Sequence, residues 1–309
     1  MSSSCAKWKR RTRPRSEGGQ RPGSPVPSAE RRSPHDGRLS RGGGALIRIA
    51  WLTTGRGPGS FGALDYTLDA IDRGLPVEVA VVFVNRDRGE AEATDRLIAM
   101  VEARGIPVEA RSSVAFRKAR GGKIGKPGEP LQPWRFEYDR EVAETLAKYD
   151  FDLGVMFGYM LIATEPLFGR FRFINDHPAL PDGPIGTYQE VIAELIRTHA
   201  WTSGCMMNLV TGDVDRGPAI SYCRFPIRDE VNEAAWEALS AWKVDVAALE
   251  EIMGMPLYAD IRARGVARER PFLVETLRAV AEGTLAIPPP EPVDLTEAVE
   301  RAVGSTGQV

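Results

Sequence analysis

Two residues in this 309-residue sequence, Asn175 and His177, have the types and spacing needed for chemistry at a carbonyl carbon, and Asp215 offers them a partner. Asn175 and His177 stand in Phe173-Ile174-Asn175-Asp176-His177-Pro178, at the end of an apolar stretch that reads as a strand. In extended backbone, residues i and i+2 share a face. An amide donor and an imidazole are therefore aimed at one spot, where they can hold the developing oxyanion that acyl transfer requires. The carboxyl end of a strand is also where open α/β sheets place their ligands. Asp215 lies in Asp213-Val214-Asp215-Arg216-Gly217-Pro218, which reads as the loop between two strands. Asp and Gly serve ordinary turns as well. A carboxylate there that faced His177 would orient the imidazole and raise its pKa.

Elements must carry these groups, and the sequence supplies them in an alternating rhythm. Ile47–Leu52 reads as a first strand, followed by the loop Thr53-Thr54-Gly55-Arg56-Gly57-Pro58-Gly59-Ser60. Phe61, Leu64, Leu68 and Ile71 recur at helical spacing. Val77–Val84 is nearly all apolar, as a buried parallel strand should be. A helix over 89–104, a strand entry at 105–108, a helix over 137–149 and strands at 153–157 and 172–174 continue the pattern. A helix over 187–199 and an antiparallel pair, 206–211 and 219–225, follow, and helices are expected over 232–252 and 269–282. Residues 111–134, with Arg117, Lys118, Arg120, Lys123 and Lys126 among glycines, read as a mobile basic loop. Strand–helix alternation of this kind argues a doubly wound α/β domain.

The ordered series of motifs resembles the glycinamide ribonucleotide formyltransferases and their relatives among the folate-dependent formyltransferases. That family carries an Asn-x-His-Pro-[Ser/Ala]-Leu motif and a later Val-Asp-x-Gly-Pro loop, here Asn175–Leu180 and Val214–Pro218. Tyr138-Asp139-Arg140-Glu141 ahead of Tyr149–Asp152, and Gly158–Ile162, also look similar, so the resemblance spans roughly residues 46–228. It implies a Rossmann-like, mostly parallel twisted sheet flanked by helices, with an antiparallel pair of strands near the C-terminal end and a helical extension. It also implies 10-formyltetrahydrofolate as co-substrate, a primary amine as acceptor and no metal. On this reading Asn175 and His177 stabilise the oxyanion, and Asp215 keeps His177 charged and assists proton removal. Gly55, Arg56, Gly57, Gly59 and Ser60 would hold a substrate phosphate at a helix N-terminus. Tyr159, Met160, Leu161, Ile162, Ala163 and Asp213 would line the folate. The glycine loop lacks the family's Asn, Asn208 stands where a His is usual, and the acidic residue on the C-terminal helix has no clear counterpart. The identity of the amine therefore stays open, with glycinamide ribonucleotide first and an amino sugar nucleotide or aminoacyl-tRNA as rivals.

Composition sets the remaining bounds. The net charge of −2 averages a tail of +8 over residues 1–44, with eleven Lys/Arg against three carboxylates, and a body of −10 over residues 45–309. The tail reads as disordered, because it cannot bury enough apolar surface to offset chain entropy; a solvated tail or translation from upstream of the true start is the favoured reading over a nucleic-acid-binding arm, since charge runs usually mean solvation. Residues 45–228 read as the catalytic domain, 229–286 as a helical extension packed on it, and 287–309 as a loose tail. The longest apolar run, Val79–Val84, is far short of the ~20 residues of a membrane span. Cys5, Cys205 and Cys223 have no metal-ligand spacing, which suits a reducing, cytoplasmic setting. The expected partners are small-molecule substrates, with a homodimer as the assembly to test and nucleic acid disfavoured by the acidic body. A rival enzyme class, a nicotinamide oxidoreductase, rests on Gly57-Pro58-Gly59-Ser60-Phe61-Gly62 and on Asp87 after the second strand.

Overall fold

The computed structural model describes residues 46–125, 129–240 and 247–306; the expected disordered tail lies outside them. In chain order the elements are β1 (Ile47–Thr53), α1 (Pro58–Asp72), β2 (Val77–Val84), α2 (Glu92–Ala103), β3 (Val108–Ala110), α3 (Ser113–Ala119), α4 (Pro133–Leu146), β4 (Leu153–Met156) and α5 (Glu165–Phe168). Then come β5 (Phe173–His177), α6 (Tyr188–Arg197), β6 (Thr202–Leu209), β7 (Ala219–Pro226), α7 (Glu233–Ser240), α8 (Leu249–Met253), α9 (Pro256–Ala281), β8 (Val293–Asp294) and α10 (Thr296–Thr306).

The strands form one sheet in the order β3-β2-β1-β4-β5-β6-β7-β8. The first five are parallel, β6 is antiparallel to β5 and to β7, and β8 lies parallel to β7. This is the Rossmann-like class expected, antiparallel pair included. The sheet is central because its strands are apolar on both faces: Ile49, Trp51, Val155 and Ile174 face a layer of α1, α2, α6 and α9. Ala50, Leu52, Phe83 and Phe173 face α3, α4 and α5. Strand order reverses between β1 and β4, so a crevice opens at their carboxyl ends.

Two expectations are corrected. The basic segment 111–134 is not a bare loop: Ser112 accepts from the Ala115 N–H and caps α3, and Arg120 ion-pairs with Glu137 and Glu141 on α4. Its guanidinium also lies over the Phe116 ring, which gives the segment an apolar anchor. The loose tail expected at 287–309 instead supplies β8 and α10, with Val299 fully buried and Glu300 paired to Arg268 of α9. Of the helix expected over 232–252, α7 and α8 form the described parts, and residues 241–246 lie outside the description.

Candidate active site

The crevice between β1 and β4 is closed at its base by direct contacts between the two strand-end loops. The Thr54 N–H donates to the Gly158 carbonyl at 3.0 Å, and the Met160 N–H donates to Thr54 Oγ1 at 3.1 Å. Gly158 has φ +67° and lies against Ser60 Oγ, so a side chain there would meet both a strained backbone and a neighbour. The glycine loop and the 158–163 segment are thus one unit. Within the loop the Gly55 N–H is taken by Thr53 Oγ1, which leaves Gly55 a shaping position. Gly57 caps α1, Pro58 occupies its first turn, and Arg56 and Gly59 are exposed. The Gly59 and Ser60 N–H groups sit at the positive end of a 15-residue helix, where an anion is stabilised.

Across the crevice, Tyr159 and Ala163 are buried, Leu161 is half-buried, and Met160 and Ile162 are exposed. This segment is pinned from below by α4. Arg135 donates to the Ile162 carbonyl at 2.6 Å and to Asp139 at 3.0 Å, and Asp139 accepts from the Thr164 N–H and hydroxyl. Burial raises the Asp139 pKa from its ordinary value, with Arg135 and Thr164 acting against it. Burial likewise pushes the Tyr159 phenol well up, so it remains a neutral donor.

Asn175 and His177 are the third and fifth residues of β5, on the same face as Phe173. His177 is only 2% exposed. Its Nε2 lies 3.2 Å from the Pro184 carbonyl oxygen, which can only accept, so Nε2 carries the proton. Nδ1 then faces Asp215 Oδ2 at 4.0 Å. Asp215 comes from the loop between β6 and β7, which starts beside Phe173 and folds back over the sheet face. Gly217 makes that return possible, because a Cβ there would overlap the Leu209 carbonyl. Asp215 itself holds φ +54°, a left-handed conformation that Asp tolerates better than most residues. Asp213, earlier in the loop, is exposed, and its carbonyl accepts from the Arg216 N–H.

Sequence reasoning underweighted Asn208. It pairs directly with Asn175 across β5 and β6, is 2% exposed, and its Oδ1 has no partner. Strand register was the missing signal, since it alone places the two amides side by side. Asp176, between the two candidate catalytic residues, belongs to the other sheet face, where its Oδ1 is sealed from solvent without a partner. Burial and the Glu269 carboxylate push its pKa well above the usual range, opposed by Arg262, which itself pairs with Glu269 at 2.5 Å.

The features that suggested a nicotinamide site have other work. Gly62 receives the Arg270 guanidinium against its backbone, and Asp87 accepts the Ser112 N–H at 2.8 Å. The profile of the formyl transferase family matches residues 47–247. The chain belongs to the formyl transferase family. It is an enzyme of the folate-dependent formyltransferase class. Among solved structures it is similar to glycinamide ribonucleotide transformylase 1 from Symbiobacterium toebii, with 25% identity over 77% of this chain and 89% of that one, at a TM-score of 0.54. The phosphoribosylglycinamide formyltransferase from Coxiella burnetii shares the fold, with 20% identity over 78% and 89% of the two chains and a TM-score of 0.52. No curated protein matches the sequence. Among the described residues, no helix is long and apolar enough to cross a membrane, and no group of three or more His, Cys, Asp or Glu could hold a metal ion.

Proposed function

We propose that this formyltransferase moves a formyl group from 10-formyltetrahydrofolate to a primary amine, with glycinamide ribonucleotide of purine biosynthesis as the acceptor. The observation that carries the reading is the meeting of His177 and Asp215 at 4.0 Å, with Asn175 on the same face of β5. The amine lone pair attacks the formyl carbon, and the carbonyl electrons move onto oxygen. Asn175 and His177 stabilise that oxyanion, and Asp215 orients the ring and helps remove the amine proton. Collapse breaks the bond to the folate nitrogen, which leaves with a proton. For His177 to donate, its Nε2 must leave the Pro184 carbonyl or its Nδ1 must turn from Asp215, so substrate binding is coupled to a local shift in this reading.

Arg56, Gly57, Gly59 and Ser60, with the turn shaped by Gly55, are the proposed phosphate cradle. Tyr159, Met160, Leu161, Ile162, Ala163 and Asp213 are the proposed folate wall. Residues 45–228 are taken as the catalytic portion and 229–286 as its helical extension. Buried, unpaired thiols at Cys205 and Cys223 suit a reducing, cytoplasmic setting.

A panel of amines offered with 10-formyltetrahydrofolate tests the reading. Formylation of glycinamide ribonucleotide, with kcat/KM at least tenfold above an amino sugar nucleotide or an aminoacyl-tRNA, is the expected result. Preference for another amine would overturn the acceptor, and stabilisation by NAD(H) but not by folates would overturn the chemistry.

A further inference from the structure

Asn208 is buried at 2% exposure, and its Oδ1 is sealed from solvent without a partner among the described residues. Protein interiors pair almost all such groups, and an unmet one is destabilising.

The neighbours of Asn208 narrow the choice of donor. Met206 and Val210, two residues away along β6 and its continuation, and Ala219, its pair on β7, carry no side-chain N–H or O–H. His177 has its ring between the Pro184 carbonyl and Asp215. Asn175 stands directly opposite, and its Nδ2 donates to the carbonyl of the next residue, Asp176, at 3.1 Å. An amide nitrogen carries two N–H groups, so one is left over. Directly opposed residues have Cβ atoms about 4.5–5.5 Å apart, within reach of two facing amides. The β6–β7 ladder also shifts register between Met207 and Asn208. Irregularities of this kind re-aim a side chain.

We propose that Asn208 is a positioning residue for Asn175: its Oδ1 accepts one N–H of the Asn175 amide and turns the other towards the oxyanion. The inference rests on the proposed role of Asn175. An Asn amide is nearly symmetrical in shape but not in charge, since its nitrogen end donates to an oxyanion and its oxygen end repels one. The Asp176 carbonyl holds the nitrogen end in this structure, and Asn208 takes it over as the oxyanion forms. No covalent bond changes. A bond gained only as charge develops lowers the barrier and leaves substrate binding alone, so it acts on kcat and not on KM.

A double-mutant cycle tests it, with 10-formyltetrahydrofolate as donor and glycinamide ribonucleotide, or the amine that the panel prefers, as acceptor. Asn208→Leu should lower kcat about tenfold with KM changed by less than about twofold. Its melting temperature should hold or rise, because an unmet buried acceptor has gone. In an Asn175→Ala background the same change should cost nothing. Asn208→His, which returns an acceptor nitrogen, should recover most of kcat. Asn208→Ala, run through the same cycle, serves if leucine does not pack. Wild-type kcat in Asn208→Leu, an equal loss in both backgrounds, or a loss confined to KM overturns the assignment and leaves Asn175 in its role. Near-normal kcat in Asn175→Ala overturns the proposed oxyanion role, and this one with it.

Discussion

The two faces of β5 carry polar groups of opposite character, one residue apart. On one face Asn175 and His177 lie with Asn208 and Asp215. On the other, Asp176 is enclosed with Glu269, Arg262 and the free thiols of Cys205 and Cys223. In the first set the His177 ring lies between the Pro184 carbonyl and Asp215. The second has one carboxylate held by an arginine and a second, Asp176, whose pKa burial and the Glu269 carboxylate push up. Polarity on a strand therefore does not mark function by itself; Asn208 Oδ1 on one face and Asp176 Oδ1 on the other are both buried without a partner, and what differs is that only the first face brings a histidine and a carboxylate together.

Substitution can break this contrast. The largest effect is expected for His177→Ala, which should lower kcat/KM for formyl transfer by about 10²–10⁴-fold with a near-normal circular dichroism spectrum. Near-normal turnover would remove the front face from the chemistry. Asp215→Asn keeps the loop's shape but not its charge, and should cost about 10²-fold, read in the same assay. On the back face, Asp176→Asn should leave transfer close to wild type and act on stability.

The sign follows from the raised pKa of Asp176. The folded wild type keeps a proton that the unfolded chain sheds near the ordinary carboxylate pKa. Wild-type stability therefore falls as pH rises from there to the raised value, by at most about 1.4 kcal/mol per pH unit. The variant lacks this loss, so its advantage in melting temperature should widen with pH above about 4. A constant gap would show that Asp176 is ionised in the fold. Gly158→Ala sharpens the comparison from outside β5, because its positive φ costs about 1–2 kcal/mol and its Cβ displaces Ser60. A drop of a few degrees in melting temperature together with a raised KM is expected, and an unchanged KM would uncouple the two loops.

Much of the front face was legible in the sequence because it depends on local rules. Period two put Asn175 and His177 together, and a glycine loop between an apolar strand and a helical repeat marked α1. Asp215 needed the motif order, since nothing local says that a nine-residue return folds back over a sheet. Asn208 was less visible because register is set by tertiary pairing. The N-terminal half of α9 was missed for a different reason. Arg262-Ala263-Arg264-Gly265-Val266-Ala267-Arg268 shows little apolar periodicity, and its helix is held by ion pairs to Asp229, Asp260, Glu269 and Glu300 that come from other turns or elements. At the C-terminus, Val293-Asp294 is too short for any alternation to show. It becomes a strand only because β7 offers it an edge.

That last pairing gives the chain's end a protective duty. With β8 in place, Ser221 and Tyr222 of β7 are paired on both sides, and the Leu295 N–H donates to the Tyr222 carbonyl. Cut before Val293, the same stretch would present open backbone donors and acceptors to any neighbouring chain, the circumstance that seeds edge-to-edge association. The α10 helix would leave with it, stripping Arg268 of Glu300 and uncovering the buried surface around Val299. Shortening this protein at its C-terminus would therefore first change how it behaves in company, before it changed anything in the crevice.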